Sequence, residues 1–341
     1  MAFRSKWQSL PTEAINPSSL DIDKLDADQI VDLMISEDRK MLAAVQRERE
    51  RIAVGVEMVA AALRRGGRIV FVGAGTSGRL GILESAEMPL TFSTDPSLVQ
   101  AVIAGGRDAV FGAREGVEDH YEEGARAITR LRPTKKDVVI GVSASGMTPF
   151  VRGALTRARK AGARVVFVTC DPGTELQTFV DLTIAPGVGA EVIAGSTRLK
   201  AGTATKLVLN MLTTGAMVLI GKTYGNLMVD THTSSEKLKD RARRIVNIVT
   251  GLDYEEAERL LAKARWNVKA AIVMQKTGLT LTKAQARLRK AHDSMREAIG
   301  EDIEPRLRGM LQGHAEAAFV KGAEPTAKPA VKTPVARKGP A

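Results

Sequence analysis

Short runs rich in Val and Ile recur through the middle of the chain and predict buried β-strands. They lie at residues 68–72, 98–104, 137–142, 164–169 and 182–185. Because the runs are continuously apolar, they fit a parallel sheet covered on both faces rather than a sheet with one face in water. Helical patterns lie between the runs, at 80–88, 113–131, 149–161 and 203–220. This alternation predicts a doubly wound α/β domain with a parallel five-stranded sheet.

Helical patterns without strands flank this region. The N-terminal segment has helical spacing around 30–45, and three short helical patterns lie at 254–264, 268–276 and 283–299. The end of the chain is rich in Pro, Ala and Lys and has little apolar surface to bury, which is typical of disorder. We therefore predict an N-terminal arm and helix at 1–50, an α/β domain at 51–250, a three-helix domain at 251–300 and a disordered tail at 301–341.

The composition is that of a globular protein in a reducing compartment. Of the 341 residues, 44% are hydrophobic, which is ample for a sizeable core. The single cysteine, Cys170, excludes an internal disulfide framework. No apolar run approaches the roughly 18 to 20 residues that span a membrane, and the first residues lack the apolar stretch of a signal peptide. We expect a cytoplasmic protein.

The net charge of +11 raises the question of nucleic-acid binding. Residues 321–341 contain five Lys or Arg and one Glu, so part of the charge is local to the tail. Aromatic residues make up only 4%, which leaves little material for base stacking, and no helix-turn-helix with a basic recognition helix precedes the α/β region. A basic enzyme that attracts anionic sugar phosphates is the simpler interpretation.

A glycine- and hydroxyl-rich loop follows the first predicted strand and opens a helix. Residues 70–81 read V-F-V-G-A-G-T-S-G-R-L-G, and the hydroxyls of Thr76 and Ser77 lie where the first backbone amides of the helix are free. Such a helix N-terminus suits a phosphate group. The glycine spacing also satisfies the G-x-G-x-x-G pattern of dinucleotide-binding folds.

The next strand favours a single phosphate over NAD. A dinucleotide fold requires an acidic residue at the end of its second strand to bind the ribose, but here that strand ends in Gly105-Gly106. Asp95 lies before the strand, on the wrong side of the sheet. The four histidines have no metal-ligand spacing. We therefore expect no cofactor and no metal.

A second loop with the same chemistry follows the third predicted strand. Ser143, Ser145 and Thr148 surround Gly146 at another strand-to-helix turn. Two such loops in neighbouring βα units would converge at a topological switch point of the sheet and bind one phosphoester. The alternative from the residues alone is that these hydroxyls cap the two helices.

Longer motifs extend this interpretation to a family. Strands and helices that alternate with G-T-S and S-x-S-G-x-T loops resemble the sugar isomerase (SIS) domain, which binds phosphosugars. The chain from about 12 to 299 resembles the N-acetylmuramic acid 6-phosphate etherases, in a group that also contains the glucokinase regulatory protein. The motifs are G-A-G-T-S-G-R-L-G-I-L-E-S-A-E-M-P at 73–89, E-G-V-E-D at 115–119, V-G-A-E-V-I-A-G-S-T-R-L-K-A-G-T-A-T-K-L-V-L-N-M at 188–211 and G-N-L-M-V-D at 225–230.

The resemblance implies an activity and its catalytic residues. The family cleaves the D-lactyl ether of N-acetylmuramic acid 6-phosphate by elimination and hydration, which needs two acid/base groups and no metal or redox cofactor. Glu87 matches the acid that protonates the departing lactate, and Glu118 matches the base at C-2. For the acid role, partial burial would have to raise the pKa of Glu87. Without the resemblance each is an ordinary solvated glutamate, and Glu84, on the same helix face as Glu87, competes for the role.

The resemblance also implies substrate contacts and a pairing of two chains. Ser196, Thr197 and Lys200 are expected to touch the phosphate or the lactate carboxylate, and Glu191 to assist ring opening or orient a hydroxyl; capping and surface pairing are the alternatives. Met147 replaces a common Arg of the family, and Pro89-Leu90 replaces a Pro-Pro pair. SIS domains commonly build sites from two chains, so we expect a homodimer. The activity that the resemblance implies belongs to amino-sugar catabolism and cell-wall recycling.

Two alternatives to this enzyme remain at this point. One is a phosphosugar-sensing regulator that resembles the glucokinase regulatory protein and binds its target through the helical domain. The other is a sugar-phosphate-responsive transcription factor, which the lack of a recognition helix disfavours. The presence of both Glu87 and Glu118 favours the enzyme.

Overall fold

A five-stranded, entirely parallel sheet forms the centre of the protein. The structure, a computed structural model, describes the backbone of residues 10–320 and the side chains of residues 10–312. The strands are β1 Ile69–Gly73, β2 Val99–Ile103, β3 Val138–Val142, β4 Arg164–Val168 and β5 Leu182–Ile184. Their order in the sheet is β2-β1-β3-β4-β5, so β1 and β3 are neighbours and the order reverses between them. This confirms the predicted fold class.

Helices cover both faces of the sheet because alternate strand residues point to opposite sides. Ile69 and Phe71 of β1 belong to an apolar cluster with the N-terminal helices and α7 (Lys200–Leu219), whereas Val70 and Val72 belong to a second cluster with α5 (Tyr121–Leu131) and α6 (Pro149–Lys160). All four side chains are buried. Up to residue 299 the helices are α1 Ala27–Arg47, α2 Arg49–Arg64, α3 Gly75–Phe92, α4 Asp108–Phe111, α5 Tyr121–Leu131, α6 Pro149–Lys160, α7 Lys200–Leu219, α8 Glu236–Thr250, α9 Tyr254–Lys263, α10 Val268–Thr277, α11 Leu281–Lys290 and α12 Met295–Ile299.

Two predicted helices differ from those observed. The pattern at 113–131 is not one helix: α5 begins at Tyr121, after a loop and a short 3-10 helix, Val117–Asp119. Gly116 causes the break, because it adopts the left-handed conformation (φ 79°) that a helix interior excludes. The pattern at 283–299 is divided into α11 and α12. Sequence periodicity also missed α8, whose apolar positions are hidden among charged residues.

Buried Lys269 of α10 fastens the C-terminal helices to the α/β region. Its ammonium donates to the carbonyl oxygen of Gly221 (2.8 Å) and to that of Asp293 (2.9 Å), and it lies 2.7 Å from the Asp230 carboxylate. Gly221 follows α7 and Asp293 lies between α11 and α12. One ammonium therefore holds together three turns from different parts of the chain.

The chain divides into two compact units, one that ends at Gly300 and a second that begins at Glu301. The second unit contains helix α13, Glu304–Val320, so the predicted tail begins with a helix. The rest of that tail, 321–341, lies outside the described residues, and the predicted domain boundaries at 50 and 250 stay predictions. In the described part of the chain, no helix combines the length and apolar character needed to cross a membrane.

Candidate functional site

A cavity of about 340 Å³ lies beyond the carboxyl ends of β1 and β3. The loops that leave these two neighbouring strands both line it, as expected where the strand order reverses. It is the place where most of the predicted site residues meet. Those on its wall are Thr76, Ser77, Glu118, Ser143, Ser145, Thr148 and Thr197.

The helix N-termini at this cavity are open. No side chain caps the first turn of α3 or that of α6, so the alternative in which the hydroxyls merely cap these helices is wrong. Instead, the hydroxyls of Ser143 and Thr148 bond to each other, with 2.7 Å between their oxygens. The free amides of α3 and the hydroxyls of both loops are therefore neutral donors for an anion.

The glycines of the first loop allow it to pack closely against α3. A Cβ on Gly73 would lie 2.6 Å from the amide nitrogen of Gly78, and a Cβ on Gly78 would lie 2.5 Å from Cγ1 of Ile103 in β2. Gly75 adopts a left-handed conformation (φ 52°). Close packing at Gly73 and Gly78 and the left-handed backbone of Gly75 together explain the glycine spacing.

The two arginines at the cavity are already partnered. Arg79 of α3 donates to the carbonyl oxygens of Ala109 (3.0 Å), Val110 (2.9 Å) and Gly112 (3.3 Å), and the Arg114 guanidinium lies 2.7 Å from the Asp108 carboxylate. Both arginines thus tie down the segment that follows β2. That segment leads to the 3-10 helix that carries Glu118.

Glu118 is half-buried on the cavity wall. It lies in the short 3-10 helix between Gly116 and α5, not within the long helix that the sequence predicted. Glu115, an exposed residue just before this 3-10 helix, lines the same cavity. A base at Glu118 therefore has direct access to a ligand in the cavity.

The structure gives Glu191 and Lys200 a different place from the predicted one. The carboxylate of Glu191 accepts the backbone amides of Lys200 (3.0 Å) and Ala201 (2.9 Å) and so caps α7. The ammonium of Lys200 lies 2.6 Å from the Glu37 carboxylate, and both side chains are buried. Neither side chain reaches the cavity, because burial requires each to find a partner within the fold.

A buried polar network that the sequence did not reveal surrounds this pair. Glu37 of α1 also accepts hydrogen bonds from Lys40 and from the Asn16 side-chain amide. Burial by itself raises the pKa of Glu37, but the hydrogen bonds from Lys200, Lys40 and Asn16 outweigh it and lower that pKa from 4.5 to about 2. Glu37 is therefore a charged structural partner of Lys200. Glu13, also missed, lines the cavity.

Glu87 is exposed and does not line the cavity. It lies on α3, the helix that begins at the phosphate-type loop, about 16 Å along the axis from Thr76 at a rise of about 1.5 Å per residue. Its predicted partial burial is absent in the single chain. Glu84 is buried instead: its carboxylate accepts hydrogen bonds from Asn210 and Thr213 of α7, and burial raises its pKa.

The remaining predicted residues lie beside the cavity rather than on its wall. Ser196 is partly buried in the turn before α7, next to Thr197. Gly146 turns the second loop with φ 75°, and its carbonyl oxygen accepts the hydroxyl of Thr174 (3.0 Å). Gly146 and Met147 line a separate, neighbouring cavity. Among the described residues, no cluster of His, Cys, Asp and Glu is arranged to hold a metal ion.

Comparisons with known proteins match one domain model and several named relatives. A family model described as the glucokinase regulatory protein N-terminal SIS domain matches residues 51–159. A protein named N-acetylmuramic acid 6-phosphate etherase from Microcystis aeruginosa is 46% identical over 297 residues, or 86% of this chain and 97% of the relative. One of the same name from Salinibacter ruber is 48% identical over 296 residues, or 86% of this chain and 95% of the relative.

A solved structure shows a more distant likeness. A phosphoheptose isomerase from Francisella tularensis aligns with a TM-score of 0.42 and 17% identity, over 55% of this chain and 96% of that chain. A likeness at this level carries no information about the activity of this chain.

Proposed function

This chain belongs to the N-acetylmuramic acid 6-phosphate etherases, and we propose that the cavity beside β1 and β3 is where it cleaves the D-lactyl ether of N-acetylmuramic acid 6-phosphate. The products are N-acetylglucosamine 6-phosphate and D-lactate, and the enzyme is a carbon–oxygen lyase. One observation carries the assignment of the site: two donor-rich loops from neighbouring strands open on a single cavity that also has Glu118 on its wall.

The 6-phosphate binds at the open N-terminus of α3. Thr76 and Ser77 of the first loop and Ser145 of the second supply hydroxyls, and the free amides of the helix supply further donors. Because the cavity arginines are bound to carbonyls and to Asp108, neutral donors and the helix dipole carry this recognition. The rest of the sugar then extends towards Glu118.

Elimination requires the open-chain aldehyde of the sugar. In that form the C-2 proton is α to a carbonyl, and the carboxylate of Glu118 removes it. The C-3–oxygen bond then breaks, and lactate leaves as an acid protonates the ether oxygen. Water adds to C-3 of the unsaturated aldehyde, and a proton returns to C-2. Each positioned acid or base contributes a factor on the order of a hundred or more to the rate.

Glu87 acts as that acid from a second copy of the chain. Glu87 lies far along α3 from Thr76 and is absent from the cavity wall. Both facts argue against its acting in the cavity of its own chain. Helices α3 and α7 pack against each other and expose four apolar side chains, Leu83, Leu90, Met211 and Val218. A symmetric dimer through this α3–α7 surface would bury these side chains and Glu87 together.

In this arrangement Glu87 of one chain meets the ether oxygen bound in the cavity of the other and donates the proton with which lactate leaves. We place this activity in the cytoplasm, in the recycling of cell-wall amino sugars. The single buried cysteine supports a reducing compartment.

The activity is tested by incubating the purified protein with N-acetylmuramic acid 6-phosphate in ¹⁸O-labelled water and assaying D-lactate. We expect lactate release with solvent oxygen at C-3 of the product, and its loss in Glu118→Gln and in Glu87→Ala. The matched control is Glu57→Gln, because Glu57 is an exposed glutamate of α2 that does not line the cavity. Tight binding of the sugar phosphate without lactate would support a non-catalytic sensor instead.

A further inference from the structure

A third carboxylate reaches the cavity from the N-terminal arm. Glu13 ends the short 3-10 helix Pro11–Glu13, and its side chain lines the cavity with Thr197 and Gly202. Among residues 10–312, no hydrogen bond or ion pair occupies its carboxylate. As far as these residues are concerned, the group is available to a ligand.

Hydrogen bonds on both sides of Glu13 attach the N-terminal arm, here residues 11–16, to the rest of the fold. The carbonyl oxygen of Thr12 accepts the amide of Gly195 (3.2 Å), and the buried Asn16 donates to the carbonyl oxygen of Ala190 (3.0 Å). Asn16 also donates to Glu37 (2.9 Å), the buried partner of Lys200. The arm is thus attached to the segment before α7 by contacts from the residues flanking Glu13.

Gly195 makes room for the carboxylate. A Cβ at this position would lie 3.1 Å from Oε2 of Glu13, and the left-handed backbone (φ 76°) independently disfavours a larger residue. The loop and the arm therefore meet with the carboxylate of Glu13 held at the cavity. By contrast, the carboxylate of Glu191 is fully used by the amides of Lys200 and Ala201.

We propose that Glu13 is the acid/base that opens the sugar ring. This step rests on the proposed function, because the elimination needs the aldehyde while the sugar in solution is mostly a cyclic hemiacetal. Glu13 accepts the proton of the C-1 hydroxyl, the C-1 carbonyl forms as the bond from C-1 to the ring oxygen breaks, and the same carboxyl group returns its proton to that oxygen. Both sugar oxygens are bonded to C-1, so the two oxygens of one carboxylate can serve them.

Ring opening is measured without the lyase reaction. The protein should accelerate the interconversion of the α and β anomers of N-acetylglucosamine 6-phosphate, followed by exchange NMR spectroscopy. We expect this acceleration in the wild type and a decrease of at least about tenfold in Glu13→Gln. Glu13→Asp should restore part of it, and Glu57→Gln should match the wild type.

Three further measurements separate the outcomes. Glu13→Gln should keep its melting temperature and its affinity for the sugar phosphate, while kcat/KM for lactate release falls. The proposal would be overturned if Glu13→Gln kept the wild-type rate of anomerisation. It would also be overturned if that rate fell in Glu115→Gln and not in Glu13→Gln. Loss of affinity in step with rate would reduce Glu13 to a binding group and also overturn it. If the wild type releases no lactate, the proposed function fails, whatever Glu13 does to anomerisation.

Discussion

The ammonium of Lys200 lies 2.6 Å from the Glu37 carboxylate, and both side chains are buried where α1 meets the start of α7. Replacing one member of such a pair leaves an uncompensated charge in the interior. We expect Glu37→Ala to lower the free energy of unfolding by roughly 3–5 kcal/mol, measured by urea denaturation. Glu57→Ala, at an exposed position of α2, should stay within about 0.5 kcal/mol of the wild type.

The double variant Glu37→Leu, Lys200→Met tests whether the loss of stability comes from the uncompensated charge. With both charges removed and similar volumes kept, we expect most of the stability to return. A cost for Glu37→Ala no larger than that of Glu57→Ala would show that the pair does not behave as a buried one.

The same pair predicts a loss of stability in acid. Hydrogen bonds from Lys200, Lys40 and Asn16 outweigh burial and hold the pKa of folded Glu37 at about 2, against 4.5 for an ordinary Glu. A depressed pKa gives stability that is present above pH 4.5 and is lost as the pH falls towards 2. The free energy of unfolding should therefore fall more steeply over this interval in the wild type than in Glu37→Gln. Parallel curves for the two proteins would contradict this.

Glu84 predicts the opposite pH dependence. Burial raises the pKa of this carboxyl group, although hydrogen bonds from Thr213 and Asn210 lower it. The stability associated with its protonated form is present below pH 4.5 and is lost as the pH rises through the raised pKa. Glu84→Gln should thus gain stability relative to the wild type on going from acid to neutral pH, as measured by thermal melting.

The Glu84→Gln variant also distinguishes the two acids on α3. Because Glu84 is buried against α7, we expect this variant to release lactate at a rate similar to that of the wild type, whereas Glu87→Gln should lose at least about a hundredfold. An inactive, folded Glu84→Gln would instead assign the acid role to Glu84.

Mixing two inactive variants tests the origin of Glu87. If each site combines Glu118 of one chain with Glu87 of another, a dimer of Glu87→Ala and Glu118→Ala contains one intact site and one doubly defective site. Random exchange of subunits should then restore about a quarter of wild-type lactate release. If both residues act within one chain, the mixture stays inactive.

Gly78 in the first loop has no room for a side chain. A Cβ there would lie 2.5 Å from Cγ1 of Ile103, so Gly78→Ala should cost roughly 1–3 kcal/mol of stability and displace the start of α3. We expect weaker binding of the sugar phosphate in calorimetry. Gly309→Ala, where nothing lies within 4 Å, is the control and should bind normally.

Local patterns predicted the strands and both hydroxyl-rich loops because the signals lie within a few residues of each other. The five apolar runs became the five strands, and the two loops that follow β1 and β3 share one cavity. Motif resemblance added Glu118, which no periodicity distinguishes from other glutamates. This part of the site consists of residues that lie close in sequence to the strands that position them.

Two failures involve contacts between distant parts of the chain. Lys200 was expected at the substrate because no local signal reveals Glu37, a residue on α1 that neutralises it. Glu13 escaped notice because only the folded arm brings it to the cavity. The location of Glu87 follows from the length of α3, which begins earlier than its apolar pattern suggests.

The ammonium of Lys269 has a consequence for dividing this protein. A chain cut after residue 251 would leave the Asp230 carboxylate and the carbonyl of Gly221 without their shared donor, and would strip cover from the turn that follows α7. In the sequence the C-terminal helices look like a separate domain. Because of these contacts, they cannot be replaced by another domain joined at residue 251. The first compact unit ends at Gly300, so a junction placed after that residue keeps all the contacts of the Lys269 ammonium.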